Sequence, residues 1–190
     1  MMTTTLPDLR SSRFQRNRHR ALELFAQRGF AQVSLRELAS HLELSAGSLY
    51  NHVASKEELL QEFIEEHYMA LLALFERPRA EQSAEVRLAA LLDDLLALHA
   101  SHPLHFQLAN RELHCLAPEQ RQHIEGQRQL LRERLDELLA SAGYLPSGSK
   151  AVAALELLEH LPSWLAHYPL YTSRRRDALL SLLQGCVAAA

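Results

Sequence analysis

Residues 34–52 read SLRELASHLELSAGSLYNH, and the fold is decided here. Ser34 followed three positions later by Glu37 is a capping box, in which side chain and backbone satisfy each other's open donors at a helix start. Leu35, Leu38, Ala39 and Leu42 recur at i, i+3, i+4 and i+7, so the spacing predicts a short amphipathic helix that stops near His41. Ser45 caps a still shorter helix, Ala46 to Asn51, with Leu49 as its inward anchor. Two short helices joined by a tight turn make a helix-turn-helix when longer helices pack before and after them. The outward residues Ala46, Gly47, Ser48, Tyr50 and Asn51 are small enough to admit a groove and polar enough to bond phosphates and base edges.

The longer helices are legible on both sides. Phe14, Ala21, Leu24 and Phe25 share one stripe that ends at Gly29, which predicts a helix over about 12–28. Ser55 and Glu58 form a second capping box, opening a helix through Leu59, Leu60, Phe63, Ile64 and Leu71 to about Arg77.

Composition extends this all-α reading to the whole chain. The 190 residues hold forty Leu against seven Val plus Ile and four Thr, and a sheet would want the β-branched residues that are scarce here. The length fits one medium domain or two small ones. The longest uncharged apolar run, Met69 to Phe75, is too short to cross a bilayer. The first twenty residues are polar and Arg-rich, unlike a secretory signal. Cys115 and Cys186 lie far apart, which fits a reduced compartment. A cytoplasmic protein is expected. The net charge of −3 hides an asymmetry: residues 1–60 carry eight Lys/Arg against six Asp/Glu, and the remainder twelve against seventeen. Arg10, Arg13, Arg16, Arg18 and Arg20 precede the reader, where a basic arm offers contacts to phosphates or a minor groove.

The segments ALELF (21–25), RGF (28–30), SLRELA (34–39), LSAGSLYNH (44–52) and SKEELL (55–60) together resemble the DNA-binding domain of the TetR/AcrR family of transcriptional regulators. The resemblance implies an all-helical homodimer: an N-terminal reader at 1–60, with its fourth helix continuing to about 77, and a helical effector-binding and dimerisation domain at 78–190. It implies a ligand-responsive regulator of transcription, most simply a repressor released from a palindromic DNA operator by a small hydrophobic or acyl-coenzyme A effector. It involves no cofactor, no membrane and no catalysis. It assigns Ser34, Tyr50, His52 and Lys56 to the DNA backbone, and Ala46, Gly47, Ser48 and Asn51, after the cap Ser45, to the base-facing helix. Two residues depart from the pattern. Glu43 stands where the turn usually has Gly, and a left-handed backbone there costs a non-Gly residue about 1 kcal/mol. Asn17 stands where the first helix usually carries an apolar residue, and Phe14 is expected to take over that packing.

Beyond Arg79 the periodicity predicts helices over Ser83–Ala100, Pro103–Cys115, Pro118–Ser141, Ser149–His167 interrupted at Pro162, and Ser173–Ala188. The last two supply more Leu than one buried stripe needs, as a dimer face requires. An effector pocket is expected among the middle helices from Phe106, Leu113, Leu131, Leu135 and Trp164. The segment from Arg111 to Arg128 loosely resembles the acyl-coenzyme A-responsive branch, with Arg111 and Arg128 meeting phosphates or a carboxylate. Two other readings compete. One is a helical metalloenzyme built on His99, His102 and His105, with His114 beside Cys115; Pro103 between the histidines argues against a common edge. The other is a helical adaptor that has lost DNA binding through Glu43 and Asn17. No nucleophile motif, Gly-rich phosphate loop or dinucleotide fingerprint occurs in the sequence.

Overall fold

A computed structural model describes residues 9–77, 83–144, 149–167 and 172–188. Every regular element among them is helical: α1 Leu9–Arg28, α2 Leu35–His41, α3 Ala46–Tyr50, α4 Lys56–Phe75, α5 Ala84–Ser101, α6 Pro103–Glu112, α7 Pro118–Ser141, α8 Ser149–Leu165 and α9 Thr172–Ala188. Single 3-10 turns at Phe30–Gln32 and Leu113–Cys115 follow α1 and α6.

The caps set the starts. Glu37 N–H donates to Ser34 Oγ at 3.2 Å while Ser34 N–H donates to Glu37 Oε2 at 2.8 Å, closing the box on α2. At α4 the reciprocity shifts by one residue. Glu58 N–H donates to Ser55 Oγ at 3.0 Å, but the Glu58 carboxylate accepts from Ala54 N–H instead of Ser55 N–H. The expected break at Pro162 does not occur, and α8 runs on to Leu165. Proline removes one donor, Ala166 N–H still reaches Pro162 O at 3.1 Å, and burial of Ala154, Leu155, Leu158 and Leu165 holds the segment helical.

In the reader, Phe25, Leu38, Leu42 and Leu49 are fully buried, so each of the first three helices contributes to one small core. Phe25 meets Phe30 and Phe63 edge to face, with centroids 5.2 and 6.4 Å apart, and this seats α1 on α4. Burial of each such side chain is worth roughly 1.5–3 kcal/mol. The helix α4 continues out of the reader into the body, where its Ile64, Tyr68, Leu71 and Leu74 pack among α5, α6 and α7. It is the shared beam between the two parts. A second link runs from α6 to α1, where Gln107 Nε2 donates to Ala26 O at 2.8 Å and satisfies a carbonyl at the end of the helix. No helix among the described residues is long and apolar enough to cross a membrane.

Candidate nucleic-acid interface and effector cavities

The outer surface of α3 is open. Ser45, Ala46, Gly47, Tyr50 and Asn51 are exposed, Ser48 and His52 are half-buried, and only Leu49 turns into the core. Tyr50 is 58% exposed and does not pack under α1. A Cβ on Gly47 would meet nothing within 4 Å, so glycine here is required by no contact inside the chain. The hydroxyl of Ser45 accepts from Ser48 N–H at 3.0 Å and donates to Ser48 Oγ at 2.9 Å, which fixes the start of α3. Ser34 is exposed at the start of α2. Its backbone N–H, then its hydroxyl and the nearby Arg28, hold the Glu37 carboxyl below the ordinary carboxylate range.

Lys56 has a structural task. Its Nζ donates to Phe30 O at 3.1 Å and Val33 O at 2.9 Å and lies 4.3 Å from the Phe30 ring centroid. It thereby ties the first turn of α4 to the turn after α1. An ammonium has three donors, so one is left beyond these two carbonyls.

The two departures at Asn17 and Glu43 meet at one place. Glu43 has φ 56, the left-handed conformation expected of this turn. From α1, Asn17 Nδ2 donates to Leu42 O at 3.0 Å, Arg20 donates to His41 O at 2.5 Å, and Arg20 pairs with the Glu43 carboxylate at 3.3 Å. Asn17 is therefore a donor to the open carbonyls at the end of α2, where an apolar residue would satisfy none. The Phe14 side chain lies outside the described residues, as do those of Arg10, Arg13 and Arg16. The other two arginines of the basic arm are engaged inside the chain, contrary to a simple phosphate-contacting arm. Arg20 holds the turn. Arg18 bridges Glu62 and Glu66 on α4 and stacks over Phe63 at 4.9 Å.

The expected effector residues are dispersed. Phe106 is fully buried and lines a cavity of about 220 Å³ with His67, His102 and His105. Leu113 and Arg128 line a separate polar cavity of about 200 Å³ with Glu156 and Glu159. Leu131 faces an apolar crevice, and Leu135 is buried in the core. Arg111 is exposed, and Trp164 is 53% exposed on α8. Arg128 is committed to its own chain: its Nε and Nη2 grip the Glu159 carboxylate at 3.2 and 2.8 Å, and Nη2 also reaches Glu156. Glu159 is 2% exposed. Burial alone would lower the Arg128 pKa, and the Glu159 carboxylate together with Tyr68 and Glu156 more than offsets it, so the guanidinium stays charged. Tyr68 is held above its ordinary pKa by burial and by Glu159.

A further cleft was not legible from sequence. It has a volume of about 520 Å³ between α4, α5 and α7, with Leu74, Phe75, Leu91 and Leu138 on its apolar side and both Arg77, Arg87 and Arg134 and the carboxylates Glu76 and Glu137 around it; Arg77 pairs with Asp94 at 2.7 Å and Arg134 with Glu137 at 3.2 Å. Leu74, Phe75 and Leu91 also wall the apolar crevice that continues to Leu131 and Glu159. Arg87 donates through Nη2 to Ser141 Oγ at 3.0 Å, while its buried Nε has no partner. Arg77 follows the end of α4, whereas Arg87 and Arg134 lie on α5 and α7, and no helical spacing relates the three.

The histidines do not gather as a metal-binding edge. His99 Nε2 lies 3.2 Å from Ser163 Oγ, and His105 Nε2 lies 3.5 Å from Glu66. Among the described residues the groups close enough to share an ion are Glu156–Glu159–His160 and Glu112–His114–Cys115. In the first, the Arg128 guanidinium already supplies the cation. His67 is 2% exposed with an unpartnered Nε2; burial first, then His105 and His99, push it down to about 3.

A capped two-helix reader with an open outer face, joined by one long helix to a leucine-rich body with internal cavities, defines a helix-turn-helix protein with an appended helical domain. The chain belongs to the TetR family: "Bacterial regulatory proteins, tetR family" matches residues 19–63, and "Tetracyclin repressor-like, C-terminal domain" matches residues 81–164. It is 36% identical over 58 residues to the HTH-type transcriptional regulator UidR of Escherichia coli, a match covering 30% of this chain and 30% of that protein. Among solved structures, the TetR family transcriptional regulator PfmR of Thermus thermophilus has a TM-score of 0.74 at 22% identity, covering 92% of this chain and 98% of that one. AibR, solved with isovaleryl coenzyme A and operator DNA, has a TM-score of 0.72 at 18% identity, covering 90% and 97%. These structural likenesses establish the fold.

Proposed function

We propose that the chain is a ligand-responsive, homodimeric regulator of transcription that reads an operator with α3 and is released from it by an amphiphilic effector. The observation that carries the DNA-binding half is the exposed, uncluttered surface of α3, with Gly47 facing open space and Tyr50 and Asn51 beside it. Residues 1–60 act as the reader and 78–190 as the body. Ser34, Ser45, Tyr50, His52 and the remaining donor of Lys56 serve the phosphates, and Ala46, Gly47, Ser48 and Asn51 face the base edges. Two such readers on a symmetric dimer fit half-sites about one helical turn apart. Exposed Val152 and Trp164 on α8 and Leu182 on α9 are the apolar surface available for the pairing.

The effector reading moves to the cleft between α4, α5 and α7. An anionic head group would meet Arg87 and would compete with Asp94 for Arg77 and with Glu137 for Arg134, and an acyl chain would have to open the adjoining apolar crevice, which is only about 20 Å³ as it stands. Coenzyme A thioesters have this chemistry, and the AibR complex is a precedent in a protein of the same fold. An occupant of this cleft presses on the end of α4, whose start is tied to the reader through Lys56. Binding then favours the dimer conformation whose two α3 helices no longer match successive major grooves.

The test is a titration of DNA flanking the protein's own gene, followed by addition of acyl-coenzyme A thioesters of increasing chain length. Salt-sensitive binding that one thioester reverses is the expected result, with Arg87→Ala or Arg134→Ala raising the concentration required. DNA binding that no thioester affects rejects the effector assignment. Absence of binding even at low salt rejects the regulator and favours the adaptor.

A further inference from the structure

The 3-10 turn after α6 brings three metal-ligating side chains of different chemistry together at the junction of body and reader. Cys115 Sγ lies 3.4 Å from His114 Nε2 and 3.6 Å from Glu112 Oε2, and all three ligand atoms fall within 4.8 Å of one another. For a tetrahedral ion with bonds of about 2.3 Å to sulfur and about 2.0 Å to nitrogen or oxygen, ligand atoms sit about 3.5 Å apart. The two distances to sulfur match such edges without movement of the backbone. The glutamate is 7% exposed, and Arg111 lies 3.9 Å from it, a separation longer than a hydrogen bond. Among the described residues the Glu112 carboxylate meets the Cys115 thiol and the more distant Arg111, and the Lys56 ammonium acts on Cys115 from nearby, so an ion here would have to bind beside that ammonium.

We propose that Glu112, His114 and Cys115 form a three-residue site for a thiophilic divalent cation of the zinc class, with a fourth position open to solvent on the exposed His114 side. Binding releases the Cys115 proton to solvent, and the sulfur lone pair enters the metal bond with no change of oxidation state. Glutamate, imidazole and thiolate are the mixed donor set that borderline-soft ions take, whereas magnesium and calcium prefer oxygen alone. The placement gives the ion a structural consequence. Glu112 Oε1 would lie 3.9 Å from a Cβ at Gly29, so the site sits against the end of α1, beside the turn that Lys56 holds. An ion there pins the end of α6 where it abuts the reader.

The experiment uses the full chain, stripped with chelator under reducing conditions and titrated with cobalt(II) as a spectroscopic probe. The expected result is a thiolate-to-cobalt charge-transfer band saturating at one equivalent per chain. Cys115→Ser abolishes it, His114→Ala weakens binding at least tenfold, and Cys186→Ser leaves it intact. Zinc should displace the cobalt and raise the melting temperature of the wild type but not of Cys115→Ser. A wild type without the band, or a band that survives Cys115→Ser, overturns the assignment. Both readouts are independent of DNA, so they distinguish failure of this site from failure of the regulator reading.

Discussion

Acidification from pH 7 to pH 5 should destabilise the fold through His67. The imidazole is buried on α4 between Tyr68 and Phe106, with ring centroids 5.0 and 4.5 Å away, and stays neutral down to about pH 3. In the unfolded chain the same group takes up a proton near 6.5. Between these values the unfolded state binds the additional proton, so stability is full above 6.5, falls as pH drops, and levels off below about 3. At pH 5 the loss relative to pH 7 is about 2 kcal/mol from this residue. His99, also held low by burial, adds in the same direction. Glu66, whose carboxyl is held low first by its bond to His105 and then by Arg18, begins to contribute only below its ordinary 4.5. The assay is urea denaturation followed by circular dichroism at both pH values, for wild type and His67→Phe. The phenyl ring keeps the edge contacts and removes the titration, so the variant should lose about 2 kcal/mol less than the wild type. Equal losses in the two proteins would refute the assignment of the acid sensitivity to His67.

Other substitutions separate structural residues from recognition residues. Arg128→Met should cost about 3–5 kcal/mol by stranding the buried Glu159 carboxylate, and Arg128→Met with Glu159→Leu should recover most of it in the same urea assay. If Arg128→Met is neutral, the pair is not buried as described. Glu43→Gly relieves about 1 kcal/mol of backbone strain and loses an exposed ion pair worth less than that, so its stability should stay within about 1 kcal/mol of wild type. Removing a carboxylate near phosphates should also tighten DNA binding at low salt; weaker binding would contradict the placement of this turn. Asn51→Ala should change sequence preference, at a cost of about 1–3 kcal/mol on the preferred duplex, whereas Lys56→Ala should weaken all duplexes alike and also lower stability through the freed carbonyls of Phe30 and Val33. Anisotropy titrations with matched and mismatched duplexes check both, and an unchanged preference in Asn51→Ala removes that residue from the groove.

The reader was legible because its signals are local. Ser34, Ser45 and Ser55 announce helix starts through bonds three residues away, and the Leu spacing between them leaves one helical reading. The left-handed turn at Glu43 was visible through the family resemblance, whose pattern places Gly there. Its compensation was not, because Asn17 and Arg20 reach it from another helix, and the pattern at Asn17 marks only a missing apolar residue. The same distinction explains the arginines. As a run, Arg18 and Arg20 read as free charge, and only the packing of α1 on α4 shows them holding Glu62, Glu66 and the turn. Cavities are the extreme case. The cleft between α4, α5 and α7 depends on how the helices diverge, so no spacing in the sequence marked Arg77, Arg87 and Arg134 as sharing one lining. Pro162 was misleading for a related reason: local chemistry predicts a break, and tertiary burial keeps the helix.

The central claim is that the open face of α3 lies against DNA, and Gly47→Leu tests it most directly. A Cβ there meets nothing within 4 Å, and Leu favours a helix over Gly by about 0.5–1 kcal/mol, so the variant should fold at least as stably as the wild type. Its affinity for the duplex flanking its own gene, measured by fluorescence anisotropy at low salt, should fall at least tenfold because the added bulk holds the helix out of the groove. A folded Gly47→Leu protein that binds the duplex as tightly as the wild type would contradict the account.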